Sequence, residues 1–145
     1  MSTAFIFPGQ GSQSVGMMNL LAEADKVIQE TFNEASSVLD YDLWELVCEG
    51  PAEKVNATEF TQPAMLTAGV ASWRAWLSAG GAAPTMMAGH SLGEYTALVC
   101  AGSLNFADAV SLVADRARYM QQAVPEGEGA MAAILGLDDD AVRDL

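Results

Sequence analysis

The sequence predicts an α/β fold whose sheet is mainly parallel. Two short apolar segments, residues 4–7 and 85–89, have the composition of buried strands, and each runs into a glycine-containing turn. Longer segments with apolar residues at helical spacing separate the two. Strands that alternate with helices are typical of a parallel sheet. With 145 residues and 51% apolar content, the chain is long enough to bury one such core.

Five helices are predicted between and after these strands. The first is amphipathic, because residues such as Leu20, Ile28 and Phe32 recur at helical spacing among polar ones. Asn105 and Asp108 suit the start of the last helix, where a side-chain oxygen caps free N–H groups and an acid favours the first turn. In chain order the predicted helices cover residues 19–39, 43–48, 61 or 62 to 79, 92–101 and a long segment from residue 105.

A domain boundary is predicted at residues 125–129, where proline, glycine and acidic residues cluster. We expect residues 1–125 to form one unit and residues 126–145 to begin a second. The second would contain a strand at residues 130–137 and a helix starting at Ala141, capped by the preceding aspartates. A lone strand and one helical turn cannot bury their own apolar faces. The second unit is therefore expected to be cut short.

The composition also limits partners and location. Nineteen acidic and six basic residues give a net charge of −13, which disfavours nucleic acid and anionic membrane surfaces as partners. No apolar segment approaches the roughly 20 residues that span a bilayer, and the N-terminus does not resemble a signal peptide, so a cytoplasmic location is expected. Cys48 and Cys100 lie far apart without metal-ligand spacing. We interpret both as small core residues and expect no metal site.

Ser91 is the candidate nucleophile. Residues 89–93 read Gly-His-Ser-Leu-Gly, with a predicted strand before them and a predicted helix after. A serine in such a turn presents its hydroxyl at the end of the sheet, and the helix N-terminus favours developing negative charge. The pattern is typical of serine enzymes that transfer or hydrolyse acyl groups. An ordinary glycine-flanked turn with a serine cap is the structural alternative.

A general base for this serine is not evident. Serine is a weak nucleophile until a base takes its proton. His90 is the only histidine, and as the immediate neighbour of Ser91 it should point to the opposite side and form a structural hydrogen bond near the turn. The partner of Ser91 is therefore expected beyond residue 145.

Two motifs together resemble those of a known family. Residues 7–13, Phe-Pro-Gly-Gln-Gly-Ser-Gln, and residues 89–94, Gly-His-Ser-Leu-Gly-Glu, are similar to motifs of the malonyl-CoA:acyl carrier protein transacylases of fatty-acid synthesis. Residues 61–64, the set Arg116, Met120 and Gln121, and residues 124–127 follow in the order that the family shows. The resemblance spans the whole chain.

The resemblance implies a ping-pong transfer. Ser91 would take the malonyl group from malonyl-CoA as an ester and yield it to the phosphopantetheine thiol of acyl carrier protein, with no cofactor beyond the coenzyme A thioester. The oxyanion hole would map onto the backbone N–H groups of Gln10 and Leu92, which suits a glycine loop that follows the first strand. Gln62 and Met120 would be substrate-binding residues, although a structural hydrogen bond at a helix start would explain Gln62 nearly as well.

Arg116 would pair with the free carboxylate of the malonyl group, and the helical pattern supports this role independently. At about 100° per residue, Arg116 falls at the edge of an apolar face and Arg118 points away from it. A guanidinium can hold a carboxylate through two parallel hydrogen bonds. Pairing with an internal acid is the structural alternative. The apolar face consists of Phe106, Ala109, Val110, Val113, Ala117 and Met120.

The resemblance also implies the fold of the family. It is an α/β-hydrolase-like parallel sheet with helices on both faces and an inserted ferredoxin-like subdomain, of which residues 126–145 would be the beginning. The family's catalytic histidine follows the insert.

Three other functions remain open from the sequence. The serine turn alone does not separate transfer from hydrolysis, so an esterase or thioesterase is possible. An acyltransferase of a polyketide synthase would share the same motifs. Finally, a chain with one histidine could be an inactive fragment that binds acyl thioesters.

Overall fold

The computed structural model describes residues 2–124, 128 and 134–144, which form a mixed α/β structure with a small parallel sheet and many helices. In chain order the elements are β1 (Ala4–Phe7), α1 (Asn19–Ala24), α2 (Val27–Ser36), α3 (Leu43–Glu49), α4 (Ala52–Asn56), α5 (Thr58–Ser78), β2 (Met86–Gly89), α6 (Leu92–Cys100), α7 (Phe106–Ala123) and α8 (Asp139–Arg143). Among these helices none is both long enough and apolar enough to cross a membrane.

The two strands pair in parallel, as predicted. Ala4 lies opposite Met86 and Phe7 opposite Gly89, so both strands end at the same edge of the sheet. The prediction that both strands are buried is wrong. Ile6 is 79% exposed and Met86 66% exposed. The reason is that within the described residues the sheet has only two strands, and the helices cover part of its surface.

The core is built mainly by helices. α5 packs against α2, α6 and α7, and the centre of the core is filled by side chains with no exposed surface, among them Phe32, Leu66 and Val110. Phe32 also contacts the Trp44 ring edge-on, with 5.3 Å between ring centroids. Because α5 contributes buried residues from Thr61 to Ala71, it forms the central support of the molecule.

Helix α5 begins earlier than predicted. The helix is predicted to start at Thr61 or Gln62. In the structure it starts at Thr58, and the Thr61 hydroxyl donates to the carbonyl of Val55, 2.6 Å away. Pro63 lies inside the helix and has no N–H to donate. The carbonyl that thereby lacks a helical hydrogen bond belongs to the exposed first turn. The short helix α4 was not predicted.

The predicted helix over residues 19–39 is divided in two. Asp25 adopts an extended backbone with φ −146°, and its carboxylate accepts a hydrogen bond from the N–H of Val27 at 2.9 Å. That bond lowers the pKa of the Asp25 carboxyl. The side chain therefore caps a new helix, α2, although the apolar spacing continues across the break.

Other predicted helix ends are confirmed. The Asn105 side chain accepts hydrogen bonds from the N–H groups of Ala107 and Asp108 at the start of α7. Gly102, with φ +73°, follows α6 as predicted. Asp138 caps α8, which begins at Asp139 and so two residues before the predicted start.

Part of the predicted second unit lies outside the described residues. This applies to most of the boundary at residues 125–129 and to residues 130–133 of the predicted strand. The rest of that strand, residues 134–137, is not strand in the structure. Helix α8 contains no buried residue, so it has no apolar partner among the described elements.

The position of Leu66 in the core predicts a large stability effect. Leu66→Ala should lower the free energy of unfolding by about 2–5 kcal/mol, because it removes a fully buried side chain and leaves a cavity. The same change at Leu20, which is 81% exposed, should cost less than about 1 kcal/mol. Urea unfolding followed by tryptophan fluorescence measures both. Equal losses would show that Leu66 is not a core residue.

Candidate active site

The turn between β2 and α6 holds Ser91 in a strained conformation. Its φ is 52° and its ψ −110°, and within the described residues it is the one non-glycine residue with positive φ. Such backbone strain costs about 1–3 kcal/mol and is found mainly at functional sites. The side chain is exposed at the N-terminus of α6. A strained serine at this position is the nucleophile geometry that the sequence motif predicts.

Two glycines allow the turn to press against β1. A Cβ atom on Gly93 would overlap the carbonyl oxygen of Phe7, and one on Gly89 would overlap the backbone of Gly93. The N–H of His90 donates to the same Phe7 carbonyl at 3.2 Å. The flanking glycines of the motif are therefore required by close backbone approach.

Four predicted site residues form one hydrogen-bonded chain. Arg116 donates from Nη2 to the Oγ of Ser91 at 2.9 Å and from Nη1 to the Oε1 of Gln62 at 2.6 Å. Gln62 in turn donates from Nε2 to the Sδ of Met120, 3.4 Å away. Residues from α5 and α7 thus meet at the serine turn, although Gln62 and Arg116 are 54 residues apart.

The Arg116 charge has no acidic partner in the part of the chain that the structure describes, where no carboxylate lies within 4.0 Å of its guanidinium. Its neighbours are a hydroxyl, an amide and the ring of Tyr95, whose centroid is 5.7 Å from Cζ. The alternative of a structural pair with an internal acid therefore finds no support. A half-buried, uncompensated guanidinium is suited to bind an anion.

The helical face predicted for α7 is largely confirmed. The side chains of Phe106, Ala109, Val110, Val113 and Ala117 are buried, and Arg116 is half-buried at their edge. Arg118 points away and pairs with Asp115. Met120 departs from the prediction, since it is 40% exposed beyond the core and directs its sulfur to Gln62.

Gln62 is fully buried inside α5 and uses both ends of its amide. The helix start predicted at Gln62 is wrong, because the helix begins four positions earlier, but Gln62 does form structural hydrogen bonds, as the alternative interpretation expected. Its carbonyl oxygen turns the Arg116 guanidinium toward Ser91. A buried amide with fixed partners on both sides holds one orientation.

The loop after β1 lies beside the serine turn. A Cβ atom on Gly9 would be 3.0 Å from the carbonyl oxygen of His90, so the two backbones are nearly in contact. Within residues 2–124, neither the N–H of Gln10 nor that of Leu92 donates a hydrogen bond. Both predicted oxyanion donors are therefore free for a ligand.

His90 is exposed, and its imidazole forms no hydrogen bond to the described residues. The structural hydrogen bond predicted for it is absent there, because the ring instead lies over Gly9, where a Cβ atom would be 3.1 Å from Nδ1. The Ser91 hydroxyl receives its hydrogen bond from Arg116, whose guanidinium donates hydrogen bonds and accepts none. Among the described residues, Ser91 therefore has no hydrogen-bonded partner that could take its proton.

The cysteines do not compete with Ser91 as nucleophiles. Burial raises the pKa of the Cys100 thiol to about 12, with Arg74 opposing the shift, and burial also raises the pKa of Cys48. Both therefore stay protonated at neutral pH. Both are half-buried, and Cys100 packs against the buried core. The described residues contain no cluster of three acidic, cysteine or histidine side chains that could hold a metal ion.

Comparison with known proteins agrees with this geometry. The family model described as acyl transferase domain matches residues 4–143. The chain belongs to the acyl transferase domain family. Ser91, its glycine-flanked turn and the loop after β1 all lie within the matched residues.

Named relatives of this acyl transferase chain are malonyl transacylases. The malonyl CoA-acyl carrier protein transacylase of Escherichia coli strain K12 is 63% identical over 139 residues, which are 96% of this chain and 45% of the relative. The structure of the corresponding enzyme from Coxiella burnetii superposes with a TM-score of 0.95 at 57% identity, covering 99% of this chain and 46% of that one. The acyl transferase chain thus spans about half the length of these relatives.

A third similar structure is a malonyl-transacylase in complex with its type II polyketide synthase acyl carrier protein. It matches the acyl transferase chain with a TM-score of 0.93 and 57% identity, over 98% of this chain and 46% of that one.

Sequence reasoning missed some residues around the acyl transferase site. Tyr95 stacks on Arg116, and its spacing of four from Ser91 on α6 could have revealed that it shares a helical face with the nucleophile. Asn56 and Thr58 contact the loop after β1. No sequence pattern indicates these contacts, because they join segments more than 40 residues apart.

The close approach at Gly93 predicts a stability cost for an added methyl group. Gly93→Ala should lower the free energy of unfolding by about 3 kcal/mol, because its Cβ would force the turn away from β1. Gly102→Ala is the control, since its Cβ would meet open space and only the left-handed backbone would cost about 1 kcal/mol. Chemical unfolding compares them. A smaller loss at Gly93 than at Gly102 contradicts the packing described.

Proposed function

We propose that this protein is a malonyl-CoA:acyl carrier protein transacylase of fatty-acid synthesis. The observation that carries the proposal is the Arg116 guanidinium, which lies 2.9 Å from the Ser91 hydroxyl without an acidic partner among the described residues. Its donors can bind an anionic acyl group directly beside the nucleophile. The names of the relatives, together with identities of 57–63%, support the same assignment.

The distance between the Arg116 guanidinium and the Ser91 hydroxyl suits a malonyl group. In a malonyl ester the free carboxylate is separated from the ester carbonyl by a single methylene. A guanidinium that binds this carboxylate must therefore lie next to the serine oxygen, as Arg116 does. When the malonyl group binds, its carboxylate would accept a hydrogen bond from the Nη2 group that now donates to Ser91. Gln62 would keep its hydrogen bond to Nη1 and hold the guanidinium in place.

The transfer proceeds in two balanced half-reactions. In the first, the Ser91 oxygen attacks the thioester carbonyl, a base takes the hydroxyl proton, and coenzyme A leaves as its thiol. In the second, the phosphopantetheine thiol of acyl carrier protein attacks the malonyl ester, and Ser91 regains its proton. The N–H groups of Gln10 and Leu92 stabilise the oxyanion in both steps. The base belongs to residues other than these 145, and no cofactor takes part.

The charge distribution bears on where the carrier protein docks. Acyl carrier proteins are typically acidic, and four of the six basic residues of this chain are already paired with acids of the same chain. The described surface therefore offers little attraction to such a partner. The docking surface lies mainly on residues outside this chain. A polyketide-type carrier is a second candidate partner, because one similar transacylase is in complex with such a protein.

The same assignment implies a fold for the whole protein and a location in the cell. Residues 1–125 belong to an α/β-hydrolase-like subdomain with helices on both faces of its sheet, and residues 126–145 begin a ferredoxin-like one. The protein acts in the cytoplasm. Hydrolysis and an inactive binding role are less well supported, because the named relatives transfer malonyl groups.

Removing the nucleophile should abolish the covalent intermediate. Ser91→Ala in the full-length protein should show no added malonyl mass after brief incubation with malonyl-CoA, and transfer should fall at least about 10³-fold. Intact mass spectrometry before and after incubation measures the adduct. Ser12→Ala, in the loop after β1, is the matched control and should keep it. A malonyl adduct that persists without Ser91 would show that the nucleophile is another residue.

Removing the guanidinium should change the acyl preference. Arg116→Ala should lower kcat/KM for malonyl-CoA about 10²-fold, because the charged hydrogen bonding to the malonyl carboxylate is lost, and the ratio of kcat/KM for acetyl-CoA to that for malonyl-CoA should rise. Arg118→Ala is the control, since Arg118 is exposed and pairs with Asp115. Steady-state rates with both thioesters measure the ratio. Equal losses of kcat/KM for the two substrates would show that Arg116 does not bind the malonyl carboxylate.

A further inference from the structure

The loop after β1 is tied to the junction of α4 and α5 by side chains. Gln10 donates from Nε2 to the hydroxyl of Thr58 at 3.1 Å. Gln13 accepts at Oε1 from the N–H of Gly11 at 2.7 Å, and donates from Nε2 to the Oδ1 of Asn56 at 2.8 Å. Two hydrogen-bonded anchors therefore hold the loop, one on Thr58 and the other on Asn56.

The loop depends on these anchors because it has little packing of its own. Gln10, Gly11 and Ser12 are exposed, and Gly11 has φ +111°. A glycine-rich exposed segment loses much conformational entropy when it is fixed in one conformation. Without the anchors the position of the Gln10 N–H would be poorly defined.

The anchors lie on a rigid part of the fold. Val55, in the last turn of α4, is 1% exposed, and its carbonyl accepts the hydrogen bond from the hydroxyl of Thr61. Thr58 and Gln62 are four residues apart on α5, so one side of its first turns contacts the loop and also orients the Arg116 guanidinium. The same helix end thus supports both halves of the site.

We propose that Asn56 and Thr58 are positioning residues that hold the Gln10 N–H in the oxyanion hole. The inference depends on the proposed function, since it takes the Gln10 N–H as an oxyanion donor. Such a donor must lie about 2.7–3.1 Å from the developing oxyanion, so a small displacement of the loop weakens catalysis. The contribution of each anchor appears in the rate of acylation rather than in the binding of malonyl-CoA.

The test compares anchor variants in the full-length protein with malonyl-CoA. Thr58→Val and Asn56→Leu remove the two acceptors, and Thr58→Ser and Asn56→Asp restore them. Thr67→Val is the matched control, because it makes the same change on α5 at a hydroxyl that has no hydrogen-bond partner among the described residues. Rapid-quench measurement of malonyl-enzyme formation gives the acylation rate and the apparent KM, and thermal unfolding reports folding.

We expect each acceptor-free variant to acylate about tenfold more slowly, with KM nearly unchanged, and the double variant to approach the roughly 10²-fold loss of a missing oxyanion donor. The Ser and Asp variants should recover most of the rate, and Thr67→Val should behave as the unaltered protein. Unchanged acylation in folded Thr58→Val and Asn56→Leu would overturn the inference. Failure of the unaltered protein to form a malonyl ester at Ser91 would instead overturn the proposed function.

Discussion

The charge of Arg116, which meets no carboxylate in the part of the chain that the structure describes, is the constraint around which the site is built. A guanidinium at the edge of a core needs polar neighbours, and here Gln62 and Ser91 supply them in place of a carboxylate. This choice leaves the positive charge available to an anionic ligand. It also fixes the buried amide of Gln62, whose other end bonds to Met120. In the proposed function, recognition of a carboxylate and orientation of the Ser91 hydroxyl would therefore depend on the same side chain.

Helix α5 connects this charge to the rest of the molecule. Its middle is buried against α2, α6 and α7, and its first turns carry the groups that hold Arg116 and the loop after β1. Pro63 lies within that segment and is itself buried. Because one rigid element supports several parts of the site, their relative positions do not depend on flexible loops alone.

The serine turn adds a second constraint, which is steric. Gly89 and Gly93 let the turn contact β1 so closely that no side chain fits at either position. The parallel pairing of β1 and β2 brings the loop after one strand beside the turn after the other. The closeness of the loop and the serine turn therefore follows from this topology rather than from any single residue.

The sequence by itself determined the local features. The strand before Ser91, the caps at Asn105 and Asp138, and the edge position of Arg116 on α7 depend on residues a few positions apart, so short patterns predict them. It did not determine the start of α5 or the division at Asp25, where a side-chain hydrogen bond competes with helical periodicity. Only the tertiary structure decided the contacts of Arg116 with Gln62 and Ser91, the anchors of the loop and the exposure of both strands. These depend on segments 25 to 54 residues apart, whose packing no local pattern encodes.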